Sequence, residues 1–441
     1  MKKTLTLLIG FIIFQVGFSQ DQPISLSLQE AIDYALENNR TAINASRDIE
    51  AAKQQKWETT ATGLPQIDAS ISYTNNIKQQ FDAIDFDQDG VVDFGAKQSM
   101  NPSVTLNQLL FDGSYIVGLQ SAKVFLEISE NAKTKTDLEV RKAVINAYGN
   151  VLLANESVEI LRRNVSILEK NLFETEKIFE NGLEEEESVE QLQITLSGLK
   201  SNLNKTERLQ NIALQMLNIN LGIDVYNTTI LTDTLESLTD NNINLEILAL
   251  ENNVENNIDY KIANNDKVSK ELLVKLEQSK ALPTLSAYLN GAYVGNSDEF
   301  TYFDKEQRWI GTSAFGVTLS IPIFSSGMRN ASTQRAKINL EKAETDLTET
   351  EQRIKLEIAS AKSDYQFAIE DYDNKRQNLS LAERIETKNQ TKFFEGIGSS
   401  FELRQAQTQL YSAQQELLQA MLDVINSKAT LETVLNTPIN N

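Results

Sequence analysis

Two stretches of this chain carry the same signals in the same order, and that order limits the folds open to it. Gly63-Leu64-Pro65-Gln66-Ile67 leads into Ser70-Ile71-Ser72-Tyr73, and Ala281-Leu282-Pro283-Thr284-Leu285 leads into Tyr288-Leu289-Asn290-Gly291. Each copy then reaches a second alternating run ending in Phe, Val104 to Phe111 and Val317 to Phe324. A glycine follows, Gly113 or Gly327, and then a long stretch without proline. Repetition of this kind fixes the architecture of both copies at once, so it is read before any single motif.

The prolines are Pro23, Pro65, Pro102, Pro283, Pro322 and Pro438, with none between Ser103 and Leu282 or between Ile323 and Thr437. Proline loses an N–H and clashes inside a helix, so these gaps admit long helices. They carry heptad spacing. Leu161, Val165, Leu168, Leu172, Thr175 and Phe179 step 4-3-4-3-4, and Val189, Leu192, Leu196, Leu199 and Leu203 resume the pattern. Leu403, Ala406, Leu410, Ala413 and Leu417 repeat that second run 214 positions later. Such stripes predict antiparallel helices paired as coiled coil. Ser114 to Asn181, read as one helix, spans about 100 Å at ~1.5 Å per residue. Gly182 and Gly396 interrupt the two copies at matching places and read as tight helix–helix turns.

Asn38-Asn39 before Pro65 aligns with Asn256-Asn257 before Pro283, and Ser27-Leu28-Gln29-Glu30 has the form of a capping box. The chain divides into a leader (1–19), a first repeat (20–222), a polar and irregular joining segment (223–244), a second repeat (245–436) and a short tail (437–441). Lys2-Lys3 before the apolar run Leu5–Phe18, with Gly17 and Ser19 at its end, reads as a secretory signal peptide cleaved after Ser19. A membrane anchor is the other reading, but the run is short for a spanning helix.

The chain has no Cys and no His. This removes thiol nucleophiles, thiolate metal sites, lipidation at a cysteine and imidazole acid–base chemistry. No constellation for a carboxylate hydrolase stands out, so no enzyme activity is predicted. Net charge is −21, which excludes a general nucleic-acid binder, whose phosphate contacts need a basic surface.

The four strand runs, Gln66–Asn75, Pro102–Leu110, Thr284–Val294 and Ala314–Ile323, alternate in polarity over about 9–11 residues, the length of a tilted strand crossing a bilayer. Unpaired backbone groups in lipid are costly, and four strands cannot close a barrel with a useful bore. Several copies must therefore share one barrel, and three copies give twelve strands. Tyr73, Tyr288, Tyr293, Tyr302, Phe303, Trp309 and Phe315 suit an interfacial girdle or ordinary strand enrichment.

With Leu28-Gln29-Glu30-Ala31-Ile32, the paired Leu-Pro–strand–loop–strand–Phe–Gly–helix units, and Gly396-Ile397 leading into Phe401-Glu402-Leu403-Arg404-Gln405-Ala406, the chain resembles the TolC-like outer-membrane efflux proteins over nearly its whole length. The resemblance implies a mixed membrane protein. A trimeric 12-stranded β-barrel, four strands per subunit, would continue into an α-helical coiled-coil tunnel in the periplasm. It implies a homotrimer in outer-membrane lipid, docked to a periplasmic adaptor and an inner-membrane pump, passing cargo passively to the exterior. The family's adaptor contacts carry over to Gly182, Leu183, Gly396, Ile397 and Gly398. Its carboxylate constriction carries over to Glu402 and Gln405, where Gln405 is neutral. Glu184 to Glu187 and Glu190 make the first tip more acidic; Glu186, Glu187 and Glu190 join the expected cation-favouring entrance, against the plainer reading of a solvated turn.

Asp85-Phe86-Asp87-Gln88-Asp89-Gly90, with Asp93 at position 9, has the spacing of a calcium loop. Position 12 is Ala96, and strands rather than helices flank it, so an acidic surface turn stays open. A trimeric adhesin or stalk would also explain heptads and a barrel, but its strands would cluster at the C-terminus instead of interleaving with helices.

Overall fold

The computed structural model describes residues 24–77, 96–250 and 253–436. The leader, the loop Asp85–Asp93 and the tail fall outside these residues. The chain forms two compact units, one of residues 1–47, 131–261 and 349–441, the other of 48–130 and 262–348.

In chain order the elements are β1 (Ile24–Leu26), α1 (Leu28–Asn38), α2 (Arg40–Ala61), β2 (Gln66–Asn75), β3 (Gln98–Phe111), α3 (Gly113–Glu180), α4 (Glu186–Leu221), β4 (Thr229–Leu231) and α5 (Leu235–Asn242). Then come α6 (Ile258–Ser279), β5 (Thr284–Ser297), β6 (Trp309–Ser320), α7 (Met328–Phe394) and α8 (Ser400–Leu435).

The first unit is built on the long helices. Ser27 caps α1 and Glu30 returns the bond, as the sequence predicts. That helix buries Ala31, Ile32 and Ala35 against Val144 and Tyr148 of α3, Leu217 and Leu221 of α4, and Val424 and Ile425 of α8. The segment 223–244 is not irregular. It holds β4, which pairs in parallel with β1, and α5, which Thr234 and Ser237 cap. Both elements are too short for a periodic signal. Tyr148, fully buried, donates its hydroxyl toward Leu26 O at 3.0 Å and Asp233 Oδ2 at 2.9 Å, tying β1 to the segment after β4. Tyr365 does the same for the end of α5, bonding Asn242 O at 2.6 Å.

The heptads form a second core: Leu161, Val165 and Leu168 of α3 pack with Leu192, Leu196 and Leu199 of α4. Phe179, at the end of the predicted stripe, is 39% exposed.

The second unit holds one antiparallel sheet in the order β2-β3-β5-β6. Three of the four strands differ from the sequence expectation at their ends. β3 begins four residues before Pro102 because Pro102 still pairs with Ile71 of β2, while the β3–β5 ladder skips Asn101 and Pro102. β5 runs on to Ser297, opposite Gln98. β6 starts earlier, at Trp309 opposite Gly295, and stops at Ser320, before Pro322.

Candidate functional site: a two-faced sheet and a helical tip

Side chains alternate across a strand, so the register sorts the sheet into two faces. One face carries Ile67, Ile71 and Tyr73 of β2, Met100, Val104 and Leu106 of β3, Leu285, Leu289 and Tyr293 of β5, and Phe315, Val317 and Leu319 of β6. The other is mostly polar, with Asp68, Ser70 and Ser72, then Asn101, Ser103 and Thr105, then Ser286 and Asn290, then Thr312 and Thr318, and it also carries Tyr288, Val294 and Ile310. On the polar face neighbours bond one another: Ser70 with Ser103 at 2.9 Å, and Asn290 to Thr105 at 2.7 Å. The apolar face is bare in the single chain, with Ile71 and Phe315 each 73% exposed. The outer edges of β2 and β6 have no strand partner among the described residues.

At one end of the strands an aromatic cluster closes the β5–β6 connection. Tyr302, buried, sits edge-on to Tyr73 and Phe300, with Trp309 6.1 Å away. Of the predicted girdle residues, the structure brings Tyr73, Tyr302, Phe303 and Trp309 to this cluster and leaves Tyr288, Tyr293 and Phe315 along the strands.

In the other unit the helices turn at Gly182 and Gly396, with φ of 73° and 75°. A side chain is strained there, which is why glycine interrupts both heptad runs. Each turn closes in the same way: Leu183 N bonds Ile178 O at 3.1 Å, and Ile397 N bonds Lys392 O at 3.0 Å. Leu183 and Ile397 then project at 79% and 72% exposure, an apolar residue on each turn. Gly398 is close-packed; a Cβ there would lie 2.9 Å from Lys392 Cβ.

The predicted acidic residues lie just beyond. Glu186, Glu187, Glu190 and Gln405 are exposed, and Glu187 accepts from Gln191 at 2.7 Å. Glu402 has a second job: its carboxylate accepts from Ser399 N while its own N–H bonds Ser399 Oγ, capping α8. No group of side chains suited to a metal ion occurs among the described residues.

Below the turns a polar seam runs through the helix packing. Asn164 of α3 bonds Gln414 of α8 at 2.8 Å, and Asn171, seven residues on, is bonded by Gln390 of α7 at 3.3 Å. Gln407, seven before Gln414, is buried beside Glu386, whose carboxyl is raised by burial while Gln407 pulls it the other way. Burial pushes the Tyr411 phenol up to about 12, with the Glu386 charge adding to the rise. Leucine counting misses this seam; its signal is a second heptad of amides.

The family model for outer membrane efflux proteins matches residues 31–222 and 263–437. The chain belongs to the outer membrane efflux protein family. It is an outer-membrane channel for efflux or secretion, and the family is one of transport channels rather than of enzymes. Alkaline protease secretion protein AprF of Pseudomonas aeruginosa is 22% identical over 98% of this chain and 88% of its own length. Outer membrane protein TolC of Vibrio cholerae is also 22% identical, over 99% of this chain and 96% of its own. Among solved structures, the outer membrane protein VceC of Vibrio cholerae superposes with a TM-score of 0.75 at 16% identity, covering 93% of this chain and 96% of that one. The fold is therefore the TolC-like one.

Proposed function

We propose that three copies of this chain close one twelve-stranded barrel in the outer membrane, and that their long helices form the periplasmic duct leading to it. The observation that carries this reading is the sheet: one apolar face, one polar face and two open edges. Backbone groups left unpaired in lipid cost several kcal/mol each. Edge must therefore meet edge, β6 of one copy against β2 of the next, with the apolar face to lipid and the hydroxyl and amide face to water.

The two repeats give each copy two similar halves. α2 and α6 are both 22 residues, α4 and α8 both 36, and α3 and α7 are 68 and 67. On this reading the ring holds six similar units, with the leader at Lys2–Ser19 serving export to the periplasm. Leu183 and Ile397 are the anchors an adaptor would cover, and Glu186, Glu187, Glu190 and Glu402 set the charge at the entrance. The chain has no P-loop pattern, so energy comes from a partner, and the family resemblance makes that partner an inner-membrane pump.

Native mass spectrometry in detergent and conductance in planar bilayers test the proposal together. A trimer forming cation-preferring pores is expected. A monomer, or a trimer that conducts nothing, would defeat it.

A further inference from the structure

The helices α4 and α8 match position for position. Both follow a glycine turn, both are 36 residues long, and both end on a left-handed residue, Gly222 at φ 83° and Asn436 at φ 52°. Position n of α4 thus corresponds to position n + 214 of α8. Within the chain the two helices meet at the tip through Ser188 and Ser400, whose hydroxyl oxygens are 2.9 Å apart.

This contact pairs unlike positions. Ser188 corresponds to Glu402, and Ser400 corresponds to Glu186. A contact between unlike positions of like units is a step around a ring, which repeats until the ring closes. Resting on the trimeric reading above, the next step sets position 402 of one chain against position 186 of its neighbour. Both are glutamates.

We infer that the tip's three junctions between chains are carboxylate pairs, Glu402 facing Glu186 of the partner subunit, while its three junctions within chains are the Ser188–Ser400 hydroxyl pairs. Both carboxylates sit in the first turn of a helix. Glu402 is further held as an acceptor by Ser399. Like charges therefore push the chains apart at the tip, and hydrogen bonds hold each chain together there. The junctions between chains are then the weaker ones at the tip.

The chain has no cysteine, so engineered pairs report on a clean background. In the full-length trimer, mild oxidation of Glu186→Cys with Glu402→Cys should give covalent dimers and trimers on a non-reducing gel. Ser188→Cys with Ser400→Cys should close within single chains and leave monomers. If the serine pair closes and native mass spectrometry shows a trimer, but the glutamate pair stays unlinked or closes within one chain, this inference is wrong and the trimer stands. If no trimer forms, the barrel proposal fails first. A charge test covers the mechanism: Glu186→Lys should reduce bilayer conductance, and adding Glu402→Lys should restore it. Additive losses from the two substitutions would overturn the pairing.

Discussion

Leu289 and Ala292 lie three residues apart on β5 and face opposite ways. Leu289 stands opposite Leu106 and Phe315, in the apolar face. Ala292 stands opposite Ser103 and Thr312, in the polar face. On the barrel reading, Leu289→Arg puts a guanidinium into hydrocarbon near the middle of the strand. An arginine on the lipid face of a membrane barrel costs about 2–4 kcal/mol near the midplane. Three chains carry the change, so the assembly loses about 6–12 kcal/mol, on the same scale. Ala292→Arg projects into water and should stay within about 0.5 kcal/mol of the parent, as surface substitutions do. Its effect should fall on ion selectivity, where a ring of three cations weakens cation preference. Guanidinium unfolding in phospholipid vesicles reads the first quantity, and reversal potentials in planar bilayers read the second. Equal stability losses from the two variants, or a larger loss from Ala292→Arg, would refute the assignment of faces and with it the barrel.

Other consequences are as direct. Gly222→Ala should destabilise more than Gly182→Ala in urea titrations: both carry the left-handed penalty of about 1–2 kcal/mol, but a Cβ at Gly222 would meet Asn38 O at 2.1 Å and one at Gly182 meets nothing. Glu432, buried between Arg141 Nη2 at 3.4 Å and Lys428 Nζ at 3.7 Å, is the counter-charge for both. Glu432→Gln should cost about 3–5 kcal/mol by thermal or chemical unfolding, whereas Lys428→Met, which leaves Glu432 its contact with Arg141, should cost less. Burial raises the phenols of Tyr148 and Tyr365, and holds Tyr411 at about 12. The folded state keeps these protons where the unfolded chain, with tyrosines near ~10, sheds them. Their contribution is full below pH ~10 and is lost as pH rises toward 12. The urea midpoint should fall over that window, and Tyr411→Phe should flatten part of the fall.

The strands were legible because period-two alternation survives in a sheet with one apolar face: Ile67, Ala69, Ile71 and Tyr73 mark it plainly. Their ends were not, because pairing decides them. Pro102 signals a strand start only until Ile71 is seen opposite it. The turns were legible for a backbone reason, since only glycine enters the left-handed region freely within a heptad run. The role of Glu402 in capping is written in Ser399-Ser400-Phe401-Glu402, the same signature as Ser27 to Glu30. The Ser188–Ser400 contact had no local signal, because it joins positions 212 residues apart. The elements in 223–244 hid for a different reason: three strand residues and eight helical ones cannot display a period.

The distribution of bare apolar surface bears on the order of assembly. In the single chain Ile71, Leu289, Phe315 and Leu319 are more than half exposed, and so are Met216 and Ile219 of α4. A soluble chain rarely leaves so much unpaired, and an open sheet edge is a template for association. On the barrel reading, hydrocarbon can cover the apolar face of β2 through β6, but it cannot bond the outward N–H and C=O groups of β2 and β6. Only another copy can do that. A lone chain placed in the bilayer would leave both edges unpaired, at several kcal/mol for each group, more than the whole stability of a typical domain, ~5–15 kcal/mol. Insertion of the sheet and pairing of its edges must then be one event. The helices, whose Leu161–Leu199 core is complete within one chain, can fold before it.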